Sequence, residues 1–225
     1  MKNYFSKVEI ILWSTSVLLI ITSFFLFDKE NYLTLTASLI GVTSLIFCAK
    51  GNPFGQILMV LFSLFYGAIS YSFSYYGEMV TYLGMTLPMS VFALISWLKN
   101  PYKESKAEVK VNSINKKEAF FLCFIAAAVT VLFYFILKHF NTANLIPSTI
   151  SVTTSFTAVY LTARRCPIFA LAYATNDIVL IILWIMASTQ NTRYISVVVC
   201  FIAFLINDIY GYINWQRMKK RQMEN

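Results

Sequence analysis

Charged residues are scarce in this chain. Only 12% of its 225 residues are charged and 58% are hydrophobic, whereas a soluble domain carries about 25% charged residues. A single domain of this size still exposes a large surface, and so few polar residues could not cover that surface in water. The composition therefore excludes a soluble enzyme, a nucleic-acid-binding module and a secreted disulfide-rich domain. It predicts a surface that mostly faces lipid.

The residues and motifs of common catalytic and metal sites are missing or isolated. The chain has one histidine, His139, which we expect in a loop without partners. Its four cysteines lie far apart in apolar stretches, at Cys48, Cys123, Cys166 and Cys200. No CxxC pair, phosphate-binding GxxxxGKS or GxxxxGKT loop, HExxH or GxSxG motif occurs. We therefore expect no enzyme, no metal, no cofactor and no ATP-driven pump.

Long apolar runs dominate what is present. A membrane-spanning helix needs about 20 mostly apolar residues, and the sequence offers eight such segments. They are Val8–Phe27, Leu33–Ala49, Phe54–Phe73, Met79–Leu98, Ala119–Leu137, Leu145–Ala163, Ile168–Ala187 and Tyr194–Trp215. The first segment is too long for a signal-peptide core and lacks an Ala-x-Ala cleavage site, so it is interpreted as a retained helix. The predicted fold class is an all-α membrane protein with eight transmembrane helices.

Basic residues fall almost entirely on one face of the predicted bundle. With eight spans, 15 of the 18 Lys and Arg residues lie in the termini and in the loops on the same side of the membrane. The three others are Lys29, Lys138 and Arg193. Because basic loops mark the cytoplasmic face, both termini are predicted to be cytoplasmic. The net charge of +8 then needs no nucleic acid to explain it.

Two groups of three predicted helices have similar sequences. In each group a Ser- and Thr-rich helix is followed by a basic residue with a proline three positions later, at 50–53 and 164–167. Each group ends with a tryptophan followed two residues later by a base, at Trp97 and Trp215. Both groups begin on the same face, so one further helix must bring the chain back between them. Parallel repeats of this kind occur in SWEET transporters; the alternative is a generic bundle with chance similarity.

This repeat predicts the organisation of the whole chain. The predicted parts are an N-terminal extra helix (1–30), a first three-helix repeat (31–99), a cytoplasmic connector with a linker helix (100–140), and a second three-helix repeat with a basic cytoplasmic tail (141–225).

Polar residues inside the spans point to a cavity. Asn176 and Asp177 lie near the middle of the seventh predicted helix, and Asn207 and Asp208 lie in the eighth. A charged Asp at a helix centre costs about 2.5–3.5 kcal/mol on insertion scales, so such residues face the bundle interior or a water-filled cavity. We therefore favour a functional cavity over simple hydrogen bonding between helices.

Aromatic and amide side chains accompany these pairs. Trp184 follows Asn176 by eight residues on nearly the same helix face, and belongs either to an aromatic membrane belt or to a ligand site. In the first half, Gln56 lies on a stripe of serines with Tyr66 beside it. Such an interior suits a small, flat, polyhydroxylated or positively charged solute rather than a lipid. The other tryptophans lie near the predicted interfaces and are expected in the membrane belt: Trp13, Trp97 and Trp215.

Several short motifs occur in a specific order along the chain. They are the residues at 75–78, 88–89 and 97–102, Asn176-Asp177 followed by Trp184, and the stretch FLINDIYGYINW at 204–215. Together they resemble one family of membrane proteins, the PnuC-type nicotinamide riboside transporters of bacteria. The resemblance covers the chain from about the second helix onward.

The resemblance implies a three-plus-one-plus-three fold like that of full-length SWEET proteins, in the bacterial inner membrane. It also implies facilitated diffusion of nicotinamide riboside by alternating access, a cytoplasmic kinase that traps the product, and a homotrimer. By the same match, substrate contacts are expected first from Asn176, Trp184 and Asn207. The full candidate set adds Asp177, Asp208, Gln56, Tyr66 and Tyr210.

Other functions remain open. Relatives are thought to carry thiamine, riboflavin or deoxynucleosides, and a proton-coupled carrier could use Asp177 or Asp208 as its proton site. A remote alternative is an intramembrane enzyme acting on lipid or prenyl substrates, which would need a paired carboxylate–metal site.

Overall fold

A computed structural model describes residues 4–72, 76–103 and 105–224. Within these ranges the chain forms eight long helices and a two-stranded antiparallel hairpin, β1 (Pro101–Tyr102) and β2 (Ser105–Val109). The helices are α1 (Lys7–Asp28), α2 (Tyr32–Ala49), α3 (Pro53–Ser72), α4 (Tyr76–Leu98), α5 (Lys116–His139), α6 (Leu145–Ala163), α7 (Ile168–Ser188) and α8 (Ile195–Glu224). The predicted total of eight helices is confirmed, whereas the prediction that all eight span the membrane is not. Lys2, Phe73 and Tyr75, which the sequence predictions included, lie outside the described residues.

Some local predictions need correction. His139 is the last residue of α5 rather than part of a loop, because the helix continues to the capping residue Phe140. The hydrophilic connector contains the β-hairpin, which we did not predict. Two helices also contain a wider π turn, at Phe24–Asp28 in α1 and at Tyr82–Thr86 in α4. The turn in α4 ends just before Pro88, whose missing N–H would interrupt a regular helix.

The helices form a membrane-spanning bundle. Seven of the eight described helices are long and apolar enough to cross a bilayer, and the Ser- and Thr-rich α6 is not among them. Large apolar side chains such as Phe120, Phe124 and Phe135 of α5 point outward and are exposed. Helices satisfy their backbone hydrogen bonds internally, so they can present such side chains to lipid.

The two three-helix groups pack in the same way. In the first group α3 contacts both α2 and α4, and in the second α7 contacts both α6 and α8. The groups meet along two seams, α2 against α8 and α4 against α6. Helix α1 packs on α2 and α8, and α5 packs on α6.

The turns that follow α2 and α6 have the same backbone conformation. Gly51 and Arg165 both have positive φ angles, +66° and +56°. The amide of Gly51 donates to the carbonyl of Cys48 at 2.9 Å. The amide of Arg165 donates to the carbonyl of Thr162, also at 2.9 Å. The predicted copy of the turn is therefore confirmed.

Trp97 and Trp215 form the core between the two groups. Both side chains are completely buried, and their ring centroids lie 5.4 Å apart. Trp215 donates from Nε1 to the carbonyl of Cys48 at 2.8 Å. Trp97 donates in the same way to the carbonyl of Thr162 at 2.8 Å. The prediction that these two residues lie in a membrane belt is wrong, because both side chains are completely buried and each indole N–H donates to a carbonyl in the last turn of a helix.

Helices α1 and α5 have the same kind of N-terminal cap. Ser6 and Asn115 each accept a hydrogen bond from the amide of a glutamate three residues later, Glu9 or Glu118. This arrangement satisfies amides that the first turn of a helix leaves unpaired. Each glutamate then binds the basic residue of one of the copied turns.

The two ion pairs differ in burial. Glu9 binds Lys50 at 3.2 Å, and Glu118 binds Arg164 through two guanidinium nitrogens. The side chains of the first pair are 3% and 20% exposed, and those of the second are 17% and 42% exposed. The hydrogen bond with Glu118 raises the pKa of Arg164 above its ordinary value. Each pair ties a helix start to one end of the bundle.

Candidate functional site

Three adjoining cavities open at one end of the bundle. We call this the distal end, because an even number of helices places both chain termini at the opposite, terminal end. The cavities measure about 110, 30 and 250 Å³, and Trp184 and Glu78 line all three. Their other walls come from the ends of α1, α3, α4 and α6 and from the loops that follow α5 and α7.

Aromatic rings form one side of this site. Trp184 lies one turn before the end of α7, and its ring centroid is 5.2 Å from that of Tyr194 at the start of α8. Tyr66 on α3 lines the first two cavities, and its ring lies 4.6 Å from that of Tyr82. These buried rings offer flat apolar faces on which a planar solute can stack.

Polar side chains form the remaining walls. The first cavity is lined by Asp28, Asn31 and Asn191, and by Arg193, which binds Glu30 at 2.8 Å. The lining of the second cavity includes five small hydroxyl side chains beside aromatic and aliphatic ones: Thr81, Thr86, Ser148, Ser151 and Ser155. Hydroxyl and amide groups can both donate and accept hydrogen bonds, so the site offers several partners to a hydroxylated solute.

Glu78 is the site residue that the sequence reasoning missed. It was noted only within the motif at 75–78, and an acid near the start of a helix is normally interpreted as a solvated residue that favours the helix dipole. Here it lies three residues into α4 and faces the three cavities instead. No basic side chain of the described residues lies within 4 Å of it.

Asn176 lies behind the cavity wall. Its Oδ1 accepts hydrogen bonds from Thr154 at 2.7 Å and from Ser155 at 3.1 Å, so the amide joins α7 to α6. Ser155 itself lines the second cavity. Asn176 therefore positions one of the hydroxyl groups that a solute would meet.

Asp177 and Asp208 meet in the middle of the bundle, deeper than the cavities. Both are buried, and their carboxyl groups are neighbours between α7 and α8. Asp177 Oδ2 has no N–H or O–H partner among the described residues. Two carboxylates in contact repel each other unless they share a proton, so this pair is a site where a proton can be held.

Three of the predicted site residues point away from the cavities. Asn207 donates from Nδ2 to Ser16 of α1 at 2.9 Å, and the Tyr210 hydroxyl donates to Glu9 of α1 at 3.0 Å. Gln56 lies near the terminal end and donates to the sulfur of Cys48 at 3.2 Å. Of the predicted set, the structure thus places Trp184 and Tyr66 on the cavities and Asn176 directly behind them.

Comparisons with known proteins agree with this architecture. The model of a protein family described as "Nicotinamide mononucleotide transporter" matches residues 31–217. A relative from Neisseria mucosa described as "Nicotinamide riboside transporter PnuC" is 27% identical over 203 residues, which are 88% of this chain and 76% of the relative. A relative from Haemophilus influenzae with the same description is 22% identical over 193 residues, 85% of this chain and 82% of that protein.

The fold is also found in a solved structure. A crystal structure described as that of the vitamin B3 transporter PnuC superposes with a TM-score of 0.83 at 22% identity, over 97% of this chain and 94% of the other. The family consists of transporters rather than enzymes. Because the family model matches residues 31–217, from the start of α2 into the last turns of α8, the chain belongs to the PnuC-type nicotinamide riboside transporter family.

Proposed function

We propose that this protein carries nicotinamide riboside across the membrane through the distal cavities. The observation that supports this proposal most directly is the convergence of the three cavities on Trp184 and Glu78. Trp184 can stack on a pyridinium ring, and the hydroxyl groups of the second cavity can bond to a ribose. The relatives described as nicotinamide riboside transporters support the same substrate.

The charges of the site favour the riboside over the mononucleotide. The mononucleotide carries an additional phosphate, whose negative charge would meet Asp28 and Glu78 in the first cavity. Arg193, a base that lines this cavity, is already paired with Glu30. A like charge in a poorly hydrated site is repelled strongly, so the phosphorylated compound should bind more weakly.

We propose that transport proceeds by alternating access. Three cavities meet at the distal end, and a separate cavity of about 580 Å³ opens at the terminal end, where Lys50 and Asn214 line it. The side chains of Trp97 and Trp215 are completely buried. The equivalent seams, α2 with α8 and α4 with α6, support a three-plus-one-plus-three repeat in which 31–99 and 141–225 rock against each other. In this arrangement α5 links the repeats and α1, within 1–30, is an addition to the core.

The setting of the transporter follows from the sequence. The 15-to-3 distribution of basic residues supports cytoplasmic termini in a bacterial inner membrane, with the distal end facing outward. The absence of a nucleotide-binding motif from the sequence supports facilitated diffusion, with a separate cytoplasmic kinase trapping the product. The family resemblance supports a homotrimer.

The roles of the candidate residues follow from their depth. We propose direct contact with the solute for Trp184 and Tyr66, and positioning of Ser155 for Asn176. The remaining candidates would act on the path toward the terminal end or on its opening: Asp177, Asp208, Asn207, Gln56 and Tyr210.

A substitution at the shared wall tests the proposal. Trp184→Ala should reduce uptake of nicotinamide riboside into proteoliposomes by about tenfold or more, because the stacking surface is lost. Trp13→Ala is a matched control, since Trp13 is partly exposed on α1 and lies away from the distal cavities. Uptake at the wild-type rate by a folded Trp184→Ala protein would contradict the site. Binding of the mononucleotide as tight as that of the riboside would contradict the substrate.

A second candidate function is proton-coupled transport, favoured by the contact between Asp177 and Asp208. Uptake would then increase when an inward proton gradient is imposed, and Asp208→Asn would remove the increase. Uptake that is equal with and without the gradient would leave facilitated diffusion as the mechanism.

A further inference from the structure

We propose that Glu78 makes this carrier selective for flat solutes with a positive charge. The proposal deepens the proposed function and rests on it, because it assumes that the solute binds in the distal cavities. The family resemblance leaves several chemical classes of solute open. In this proposal the carboxylate of Glu78 determines which of these classes the protein binds. Nicotinamide riboside and thiamine carry a positively charged ring, whereas riboflavin and deoxynucleosides are neutral.

The position of Glu78 gives it access to any solute in the site. It lines all three cavities, as does Trp184 on the opposite wall from α7. Asp28, the other carboxylate of the first cavity, lines that cavity without lining the second or the third. A solute that moves from the first cavity to either neighbour therefore stays beside Glu78.

The charge of Glu78 is not neutralised by the protein around it. The five other glutamates of the described residues have basic partners within 4 Å: Glu9, Glu30, Glu108, Glu118 and Glu224. Glu78 has none among the described residues, and its neighbour in the first cavity is the neutral side chain of Ser70. A partly buried carboxylate without a counter-ion is unfavourable, so a cationic solute would supply the missing positive charge.

The aromatic walls favour the same charge. Cations are attracted to the faces of Trp and Tyr rings, and Trp184, Tyr66 and Tyr194 all line the first cavity. A positively charged ring can thus interact with a carboxylate and with aromatic faces in one site. A neutral ring of the same shape gains only the stacking, and a phosphorylated one meets repulsion.

A pair of ligands that differ in charge tests this role. Nicotinamide riboside is a cation, and its dihydro form is neutral with nearly the same size and groups. Calorimetric titration of the full-length protein in detergent should show tighter binding of the cation to the wild type. Glu78→Gln should weaken binding of the cation by about tenfold or more and change binding of the dihydro form by about twofold or less.

Two further variants serve as controls. Glu78→Asp keeps the charge and should retain the preference for the cation, and it provides the comparison if Glu78→Gln does not fold. Asp28→Asn removes the carboxylate that lines the first cavity alone and should have a smaller effect than Glu78→Gln. Folding of each variant is checked by its melting temperature without ligand.

The outcomes separate this inference from the proposed function. If the wild type binds thiamine but not nicotinamide riboside, the proposed substrate is wrong while the selection of cations by Glu78 stands. The inference is overturned if Glu78→Gln weakens binding of the cation and of the neutral ligand equally. It is also overturned if the Glu78→Asp protein no longer binds the cation more tightly than the neutral ligand. Binding of riboflavin or deoxynucleosides alone, or of none of these ligands, would overturn both.

Discussion

Polar groups at the terminal and distal ends of the bundle differ in whether they have partners within the protein. At the terminal end, helix-end carbonyls accept hydrogen bonds from Trp97 and Trp215, and Glu9 and Glu118 bind bases. At the distal end, the carboxylate of Glu78 faces cavities and has no basic partner among the described residues. These polar groups of the terminal end are thus satisfied by the protein itself, whereas Glu78 at the distal end remains available to a solute.

The largest loss of stability is expected from Trp215→Ala at the terminal end. The substitution leaves a cavity in the core and removes the hydrogen bond to the carbonyl of Cys48. Replacing a buried Trp by Ala destabilises a protein by about 3–5 kcal/mol. Thermal unfolding in detergent should show a markedly lower melting temperature for Trp215→Ala and for its equivalent Trp97→Ala.

Trp184→Ala at the distal end sharpens this contrast. Trp184 is also buried, but it borders existing cavities, so its removal enlarges space that is already present. We expect the melting temperature of Trp184→Ala to fall less than that of Trp215→Ala. Its uptake of nicotinamide riboside should fall by more than the loss of folded protein accounts for. If the two substitutions lower the melting temperature equally, the ends do not differ in packing as described.

A smaller loss is expected from Lys50→Ala. The substitution leaves the buried carboxylate of Glu9 without its base, although the hydrogen bond from Tyr210 remains. Removing one partner of a buried ion pair is costly, and the partial exposure of Lys50 reduces the expected loss to about 2 kcal/mol. This loss of stability is measured as the fall in melting temperature relative to the wild type.

A double variant shows whether the buried charge causes that loss. Adding Glu9→Gln to Lys50→Ala removes the uncompensated carboxylate, so the double variant should be more stable than Lys50→Ala alone. A double variant that is less stable than either single variant would show that packing of the Lys50 side chain over the Tyr4 ring, 4.8 Å away, matters more than the charge.

The sequence predicts the helices and the copied turns because these depend on local properties. Apolar runs of about 20 residues span a bilayer, and the basic residue and proline of each turn stand at the same spacing, at 50–53 and 164–167. The eight helices and the shared turn geometry follow directly from these patterns. The β-hairpin was not predicted because its strands are short, although Ala107, Val109 and Val111 alternate with Glu108 and Lys110 along and just after the second strand.

The candidate site is less predictable because it depends on which helix covers which face. The seventh predicted helix shows Trp184 and Asn176 on one face, and both lie at or behind the cavities. The eighth shows Asn207 as a buried polar residue in the same way, but α1 covers that face and Ser16 bonds to it. A tryptophan near a helix end has the same sequence pattern whether it lies in the membrane belt or in the core. Trp215, which is completely buried, was predicted in the belt for this reason.

The smallest effect is expected from Arg164→Ala, the counterpart of Lys50→Ala in the second repeat. Its ion pair with Glu118 is more exposed to water, and the hydroxyl of Tyr160 also donates to Glu118, at 3.3 Å. Exposed pairs contribute about 0–1 kcal/mol, so the melting temperature should change little. What remains of the effect should disappear at high salt, whereas the effect of Lys50→Ala should persist.

Comparison of the two variants tests whether equivalent positions of the repeat are also energetically equivalent. Glu9 starts α1 and Glu118 starts α5, and each holds its helix against the turn of the following three-helix group. If Arg164→Ala lowers the melting temperature as much as Lys50→Ala, the difference in burial does not control the strength of these pairs. The two starting helices would then be held equally tightly, which would favour two four-helix units over a three-plus-one-plus-three core with α1 as an addition.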